Sequence, residues 1–114
     1  MSWDVETTPG FDSWFESLPQ VQQNRIVAVV GLLREQGPAL PRPLVDSIKG
    51  SRHKNMKELR RGSIRVLFAF DPDRMALLLV GGDKRNNWDR WYREAIPAAD
   101  DLFDEHLRRV RQQE

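Results

Sequence analysis

The chain has 114 residues, of which 39% are hydrophobic and 31% charged, a size and balance that fit one soluble globular domain over residues 1–114 and leave no room for a second. It contains no cysteine, and its longest apolar run, Met75 to Val80, is of strand length, which excludes a disulfide framework, a thiolate metal site and a membrane helix of roughly 20 residues. The net charge of +1 conceals an asymmetry: Lys49 to Arg65 carries seven Lys or Arg residues against one carboxylate, Glu58, while the remainder carries eleven basic and sixteen acidic side chains. A local field of that kind points to a phosphate-bearing partner.

Along the chain, Trp3 and Val5 alternate with Asp4 and Glu6, which suits a short first strand ended at Thr7, Thr8, Pro9 and Gly10. Thr8 then Pro9 reads as N-cap and first helical residue, and Phe11, Trp14, Phe15 and Leu18 follow at helical spacing. Pro19 restarts a second helix with Val21, Ile26, Val29, Val30 and Leu33 on its apolar side, stopped by Gly37 and Pro38, so that two helices form a hairpin. From Gly37 to Lys54 periodicity is lost, and Pro38, Pro41 and Pro43 predict an irregular connection. Strand character returns at Met56 to Arg60, Ile64 to Asp71 and Met75 to Gly81, with turns at Arg61 to Ser63 and at Asp71 to Arg74, giving a three-strand antiparallel meander. Pro97 is expected to open a last helix packed through Ala99, Phe103, His106, Leu107 and Val110, with acids near its start and arginines near its end. His106 on that stripe reads as a partly buried structural histidine.

Alternation decides which groups converge. If Ile64, Val66, Phe68 and Phe70 face the helices, Arg65 lies on the other, open face, and with Leu59 inward, Glu58 and Arg60 join it there. Lys57 falls on the packed side or at an edge. His53, Lys84 and Arg85 are expected within reach, the latter two directly after Gly81 and Gly82, whose missing side chains admit close backbone approach. These residues have the makings of phosphoryl transfer without a metal: cations for the developing charge, a carboxylate or imidazole to take a proton, and a cation or phenol to donate one. RNA supplies its own nucleophile, the 2′-hydroxyl. The two histidines, His53 and His106, show no ligand spacing, so no metal and no other cofactor is expected. Lys49, Arg52, Lys54, Arg61, Arg85, Arg90 and Trp88 are candidate RNA contacts. Trp88 and Trp91 also read as core beneath the last helix, whereas the hydroxyl of Tyr92 can reach the open face.

In the order and spacing of MKELRRGSIRVLFAF from Met56 and LLLVGGDKRNNWDRWYREAIPAADDLFDEHL from Leu77, after a helix hairpin ending LLREQGP, the chain resembles the type II toxins of the RelE and ParE superfamily, in its phage-related HigB-like branch. The resemblance implies an α+β, RelE-like toxin fold: a twisted antiparallel sheet, made of the short N-terminal strand and the meander, with the helix hairpin on one face and a C-terminal helix. It implies a cytoplasmic mRNA interferase, an endoribonuclease cutting mRNA on the ribosome, and a helix-turn-helix antitoxin of HigA type as partner, with no membrane association. By the same resemblance, Arg65 holds the scissile phosphate, Glu58, Lys57 or His53 does proton work, Lys84 or Arg85 is the general acid, and Tyr92 stacks on a base. The chain lacks the lysine pair of the ribonucleases on the strand before Arg65, Glu58 standing at one of those places. A ParE-like gyrase poison of the same fold and a non-catalytic RNA-binding or antitoxin-binding module are the alternative readings.

Overall fold

A computed structural model describes residues 2–83, 85 and 87–113. In chain order the elements are β1 (Asp4–Thr7), α1 (Pro9–Glu16), α2 (Gln20–Gln36), β2 (Val45–Ser47), β3 (Lys57–Arg61), β4 (Ile64–Phe70), β5 (Met75–Asp83) and α3 (Trp88–Gln112). The strands form one five-stranded sheet in the order β1-β5-β4-β3-β2. It is mixed: β1 runs parallel to β5, and the other three pairings are antiparallel.

The sheet is covered on both faces, which explains why β4 is buried along nearly its whole length. On one side Leu59, Val66, Phe68, Ala76 and Leu78 pack against Phe11 of α1 and Ile26, Val29 and Leu33 of α2. On the other, Leu67, Ala69, Leu77 and Leu79 pack against Ala95, Ala99 and Phe103 of α3. The face expected to be open is therefore roofed by the last helix, whose two alanines let its axis lie close to the sheet.

Thr8 ties the first layer to the sheet. Its Oγ1 accepts the Phe11 N–H at 3.1 Å, as an N-cap does, and donates at 2.7 Å to the carbonyl of Leu79. Leu79 is the residue that the β4–β5 register skips at the irregularity beside Leu67 and Phe68, so the hydroxyl satisfies a carbonyl at the bulge.

Three elements depart from the sequence expectation. The stretch from Gly37 to Lys54 is not wholly irregular: a 3-10 turn over Gly37–Ala39 and the strand β2 lie within it. Three residues carry too little periodicity to be read, and β2 exists because the edge of β3 offers it a ladder. Pro97 does not open the last helix but sits within it, as the tenth residue of a helix that starts at Trp88. Proline removes an amide and crowds the carbonyl four residues back, here that of Arg93; both residues lie on the exposed side, where water can serve that carbonyl. Val21 is 60% exposed and leaves the apolar side of α2 to Ile26, Val29 and Leu33.

At the end of β5 two tryptophans grip consecutive glycines from opposite faces. A Cβ on Gly81 would stand 2.2 Å from the Trp14 ring, and one on Gly82 would stand 2.1 Å from Nε1 of Trp91. Gly82→Ala is expected to destabilise the fold by about 1–3 kcal/mol through overpacking. Gly31→Ala, where nothing lies within 4 Å of the added carbon, is expected to stabilise helix α2 by about 0.5–1 kcal/mol. Urea unfolding of the two variants beside the parent measures both signs.

Candidate active site

Strand register assembles the site. Arg60 stands opposite Arg65, and Glu58 opposite Leu67, so Glu58, Arg60 and Arg65 share the face under α3, as alternation predicted. Two arginines directly opposed would repel each other; the carboxylate between them resolves this. Arg60 Nε donates to Glu58 Oε2 at 2.8 Å, and Arg65 Nε stands 3.6 Å from Glu58 Oε1. From above, the Tyr92 hydroxyl of α3 donates to the same Oε1. Glu58 is only 1% exposed, so the carboxylate is held entirely by these neighbours.

Arg65 is itself 6% exposed, in place of the wet position expected for it. Its Nη1 donates to the carbonyls of Gly62 at 2.6 Å and Ile64 at 2.8 Å, while Nε, fully enclosed, has no hydrogen-bond partner among the described residues. Burial presses the guanidinium below its ordinary pKa, the charges of Glu58 and Asp83 oppose this, and Arg60 adds to it. An arginine remains cationic at neutral pH under any such shift. The result is a charged, directed donor set whose enclosed Nε–H is uncommitted among the described residues.

A fifth participant was missed in the sequence. Asp46 of β2 stands opposite Glu58 in register and holds Arg60 Nη2 at 3.3 Å. The amide of Ser47 lowers its pKa most, burial opposes, and Arg42 and Arg60 lower it further. Only recognition of Val45, Asp46 and Ser47 as an alternating strand could have found it, and that strand is three residues long.

The other candidates divide. Lys57 pairs in register with Phe68 and so belongs to the face away from Arg65, packed side or edge as expected. His53 is not near Arg65. Its Nε2 lies 2.7 Å from Asp104 Oδ1 and its ring meets Phe103 edge-on, twelve residues along α3 from Tyr92, or about 18 Å at 1.5 Å per residue. The preceding residues are clamped to the same helix: Ser51 Oγ donates to Asp100 Oδ1, the Arg52 amide to Asp100 Oδ2 at 2.9 Å, and the Arg52 guanidinium to Asp101 and Asp104. Arg52 is thus committed to protein carboxylates. Lys49, Lys54 and Arg61 are exposed and, among the described residues, have no ion-pair partner. Arg85 turns back on Asp83, Nη2 to Oδ2 at 2.8 Å, and Arg90 pairs with Glu94 at 3.2 Å. Lys84 lies outside the described residues. Trp91 packs over Gly82 as core, whereas Trp88 is 47% exposed and meets the Tyr92 ring edge-on at 5.2 Å. His106 is buried with Nε2 at 2.7 Å from Asp71, whose other oxygen caps the β4–β5 turn through the amides of Asp73 and Met75.

Among the described residues no group of three or more His, Asp or Glu side chains is placed to hold a metal ion, and no helix is long and apolar enough to cross a membrane. Chemically, the cluster offers a carboxylate to accept a proton, two guanidinium groups to receive a phosphate, and a phenol to donate.

Residues 13–104 match the model of the family described as phage derived protein Gp49-like. The chain is 50% identical over 109 residues to the candidate toxin HigB2 of Mycobacterium tuberculosis, covering 91% of this chain and 53% of that protein, and so spans about half of that relative's length. It is 49% identical over 94 residues to the candidate toxin HigB3 of the same organism, covering 81% of this chain and 82% of the relative. Among solved structures, the isolated Escherichia coli RelE toxin superposes with a TM-score of 0.62 at 8% identity over 96% of this chain and 99% of that one. At that identity the likeness establishes the fold alone: a RelE-like α+β fold with three α-helices and a five-stranded mixed sheet.

The clamp between residues 51–53 and α3 has a pH signature. Arg52 holds the Asp104 carboxyl below its ordinary value of 3.8, burial opposes, and His53 adds to the depression. A depressed carboxylate contributes stability that is complete above 3.8 and is lost as the pH falls through the depressed value. The protection of amides 51–55 against hydrogen exchange, relative to their intrinsic rates and followed by NMR, is expected to fall below pH 3.8 before that of the β4 amides.

Proposed function

The chain belongs to the phage-derived Gp49-like family, in the HigB-like branch of the RelE superfamily, and from that membership and the site we propose that it is the toxin of a type II toxin-antitoxin system, a metal-independent endoribonuclease that cuts mRNA on the ribosome. The observation that carries the reading is the convergence of Glu58, Arg60, Arg65 and Tyr92 on one sheet face, from two strands and a helix. In the cytoplasm its partners are translated mRNA and a cognate antitoxin of the HigA-like helix-turn-helix kind.

In this reading the scissile phosphate meets Arg65 and Arg60, which turns from Glu58 toward it; Arg60 is the more exposed of the two and so the freer to move. Glu58, relieved of Arg60, takes the proton of the 2′-hydroxyl as that oxygen attacks the adjacent phosphorus. The bond to the 5′-oxygen breaks, leaving a 2′,3′-cyclic phosphate, and the departing oxygen takes a proton from the Tyr92 phenol or from Lys84. Glu58 serves as base in preference to Lys57, which faces the other layer, and to His53, which is held by Asp104. Positioned proton transfer contributes roughly 10²–10⁴-fold to such a reaction, and directed donors on the developing phosphorane charge a further 10²–10³-fold.

Arg65→Ala is expected to fold, because Glu58 retains Arg60 and Tyr92, to bind the antitoxin, and to lose roughly 10²–10³-fold in cleavage and with it toxicity. Induction of wild type and variant without antitoxin, with cuts mapped in cellular transcripts with and without translation, tests this. Codon-phased cuts that require translation and vanish in the variant are the expected result. Growth arrest by the variant equal to wild type overturns the assignment of Arg65, and DNA damage with intact transcripts replaces the nuclease by a gyrase poison.

A further inference from the structure

Asp46 stands directly opposite Glu58 and on the same sheet face, because its neighbour Val45 pairs with Leu59 in the apolar layer. Two carboxylates opposed across a ladder repel each other. Arg60 lies between them, with Nε 2.8 Å from Glu58 Oε2 and Nη2 3.3 Å from Asp46 Oδ2. The charges thus run in a chain of Asp46, Arg60, Glu58 and Arg65, in which Arg60 is the cation held by two carboxylates.

The Asp46 carboxylate is itself aimed. Its Oδ1 accepts the Ser47 amide at 2.8 Å and Arg42 Nε at 3.1 Å, which leaves Oδ2 turned to Arg60. The backbone repeats the link, since the Arg60 amide donates to the Leu44 carbonyl at 2.7 Å, just ahead of β2. Main chain and side chain of Arg60 are therefore both held from the edge of the sheet. Burial falls along the same line: Glu58 and Arg65 are buried, whereas Arg60 and Asp46 are half-buried. The end of the chain that water reaches is the end at which Arg60 can swing.

Two acceptors on different nitrogens answer a difficulty that the proton step creates. Glu58 takes a proton only when Arg60 lets go of it, yet an arginine with Glu58 as its sole partner would forfeit a charged hydrogen bond on leaving. Arg60 can release Glu58 from Nε while Nη2 stays on Asp46, and the planar guanidinium keeps its remaining N–H groups for a phosphate.

We propose that Asp46 is a positioning residue for the cleavage reaction: it holds Arg60 by Nη2 as a pivot, so that the guanidinium passes from Glu58 to the scissile phosphate without leaving the site. The proposal rests on the nuclease reading of the cluster. Without the charge of Asp46, Arg60 stays on Glu58 and the base remains blocked, while affinity for the ribosome is unaltered.

The test uses the whole protein and ribosomes carrying an mRNA that wild type is seen to cut, with the protein in excess, so that a plateau rate and a half-saturating concentration are read separately. Asp46→Asn keeps the shape of the side chain and an oxygen for the Ser47 amide, so a purely structural aspartate predicts no change. The pivot predicts a plateau rate lower by roughly 5- to 30-fold, with the half-saturating concentration unchanged. Arg42→Ala removes the other side-chain partner of Asp46 at an exposed position and is expected to leave the plateau at the wild-type value. Urea unfolding midpoints equal to the parent's are expected for both variants. An Asn variant as fast as wild type, a change confined to the half-saturating concentration, or an equal fall with Arg42→Ala overturns the pivot. So does a loss of rate that tracks a lost fold. In each of those results wild type still cuts and the nuclease reading stands; if wild type cuts no transcript on the ribosome, that reading fails and the pivot with it.

Discussion

The buried carboxylate of Glu58 is the constraint around which the other elements are set. A charge removed from water costs several kcal/mol unless it is met by opposite charge and hydrogen bonds, and here three elements supply them: Arg60 from its own strand, Arg65 from the next, Tyr92 from α3. Register follows from this. A slip of one residue between β3 and β4 would turn Glu58 or Arg65 into the layer of Phe11, Ile26 and Leu33, where no partner awaits. The position of α3 follows too, since the tyrosine can reach the carboxylate only if the helix begins before it, at Trp88, and Trp91 can lie over β5 only because residue 82 is glycine.

The basic stretch from Lys49 to Arg65 is two devices in sequence. Its strand half converges on Glu58, and its loop half is fastened to the acids of α3, with Asp100 buried beneath Ser51 and the Arg52 amide. One helix thus closes both halves, at its first turns through Tyr92 and about two to three turns later through Asp100, Asp101 and Asp104. The arginine that a count of charges offers for RNA, Arg52, is spent on holding the loop, while Lys49 and Lys54 on either side of it keep their charge facing water.

Much of this was legible in the chain itself. The period-two pattern of β4 placed Arg65 away from the apolar layer, and the neighbouring strand then had to place Glu58 and Arg60 with it; Thr8 and Pro9 marked the start of α1. Local pattern failed where distant contacts decide. Strand β2, and Asp46 with it, depend on an edge supplied by β3; the start of α3 depends on a tyrosine finding Glu58; the placement of His53 depends on an aspartate fifty-one residues away. Pro97 misled for a simpler reason: proline usually begins helices, and only burial reveals that its clash is vented to solvent.

The paired glycines of β5 have a consequence for divergence. With Trp14 against one and Trp91 against the other, neither position can accept a side chain without moving an indole from its layer, so this strand end, although beside Arg65, is closed to chemical variation. New specificity in a descendant of this protein would have to arise on surfaces that can change without disturbing that grip. The outward turns of α3 and the loop from Lys49 to Asn55 are such surfaces, and they carry the exposed cations.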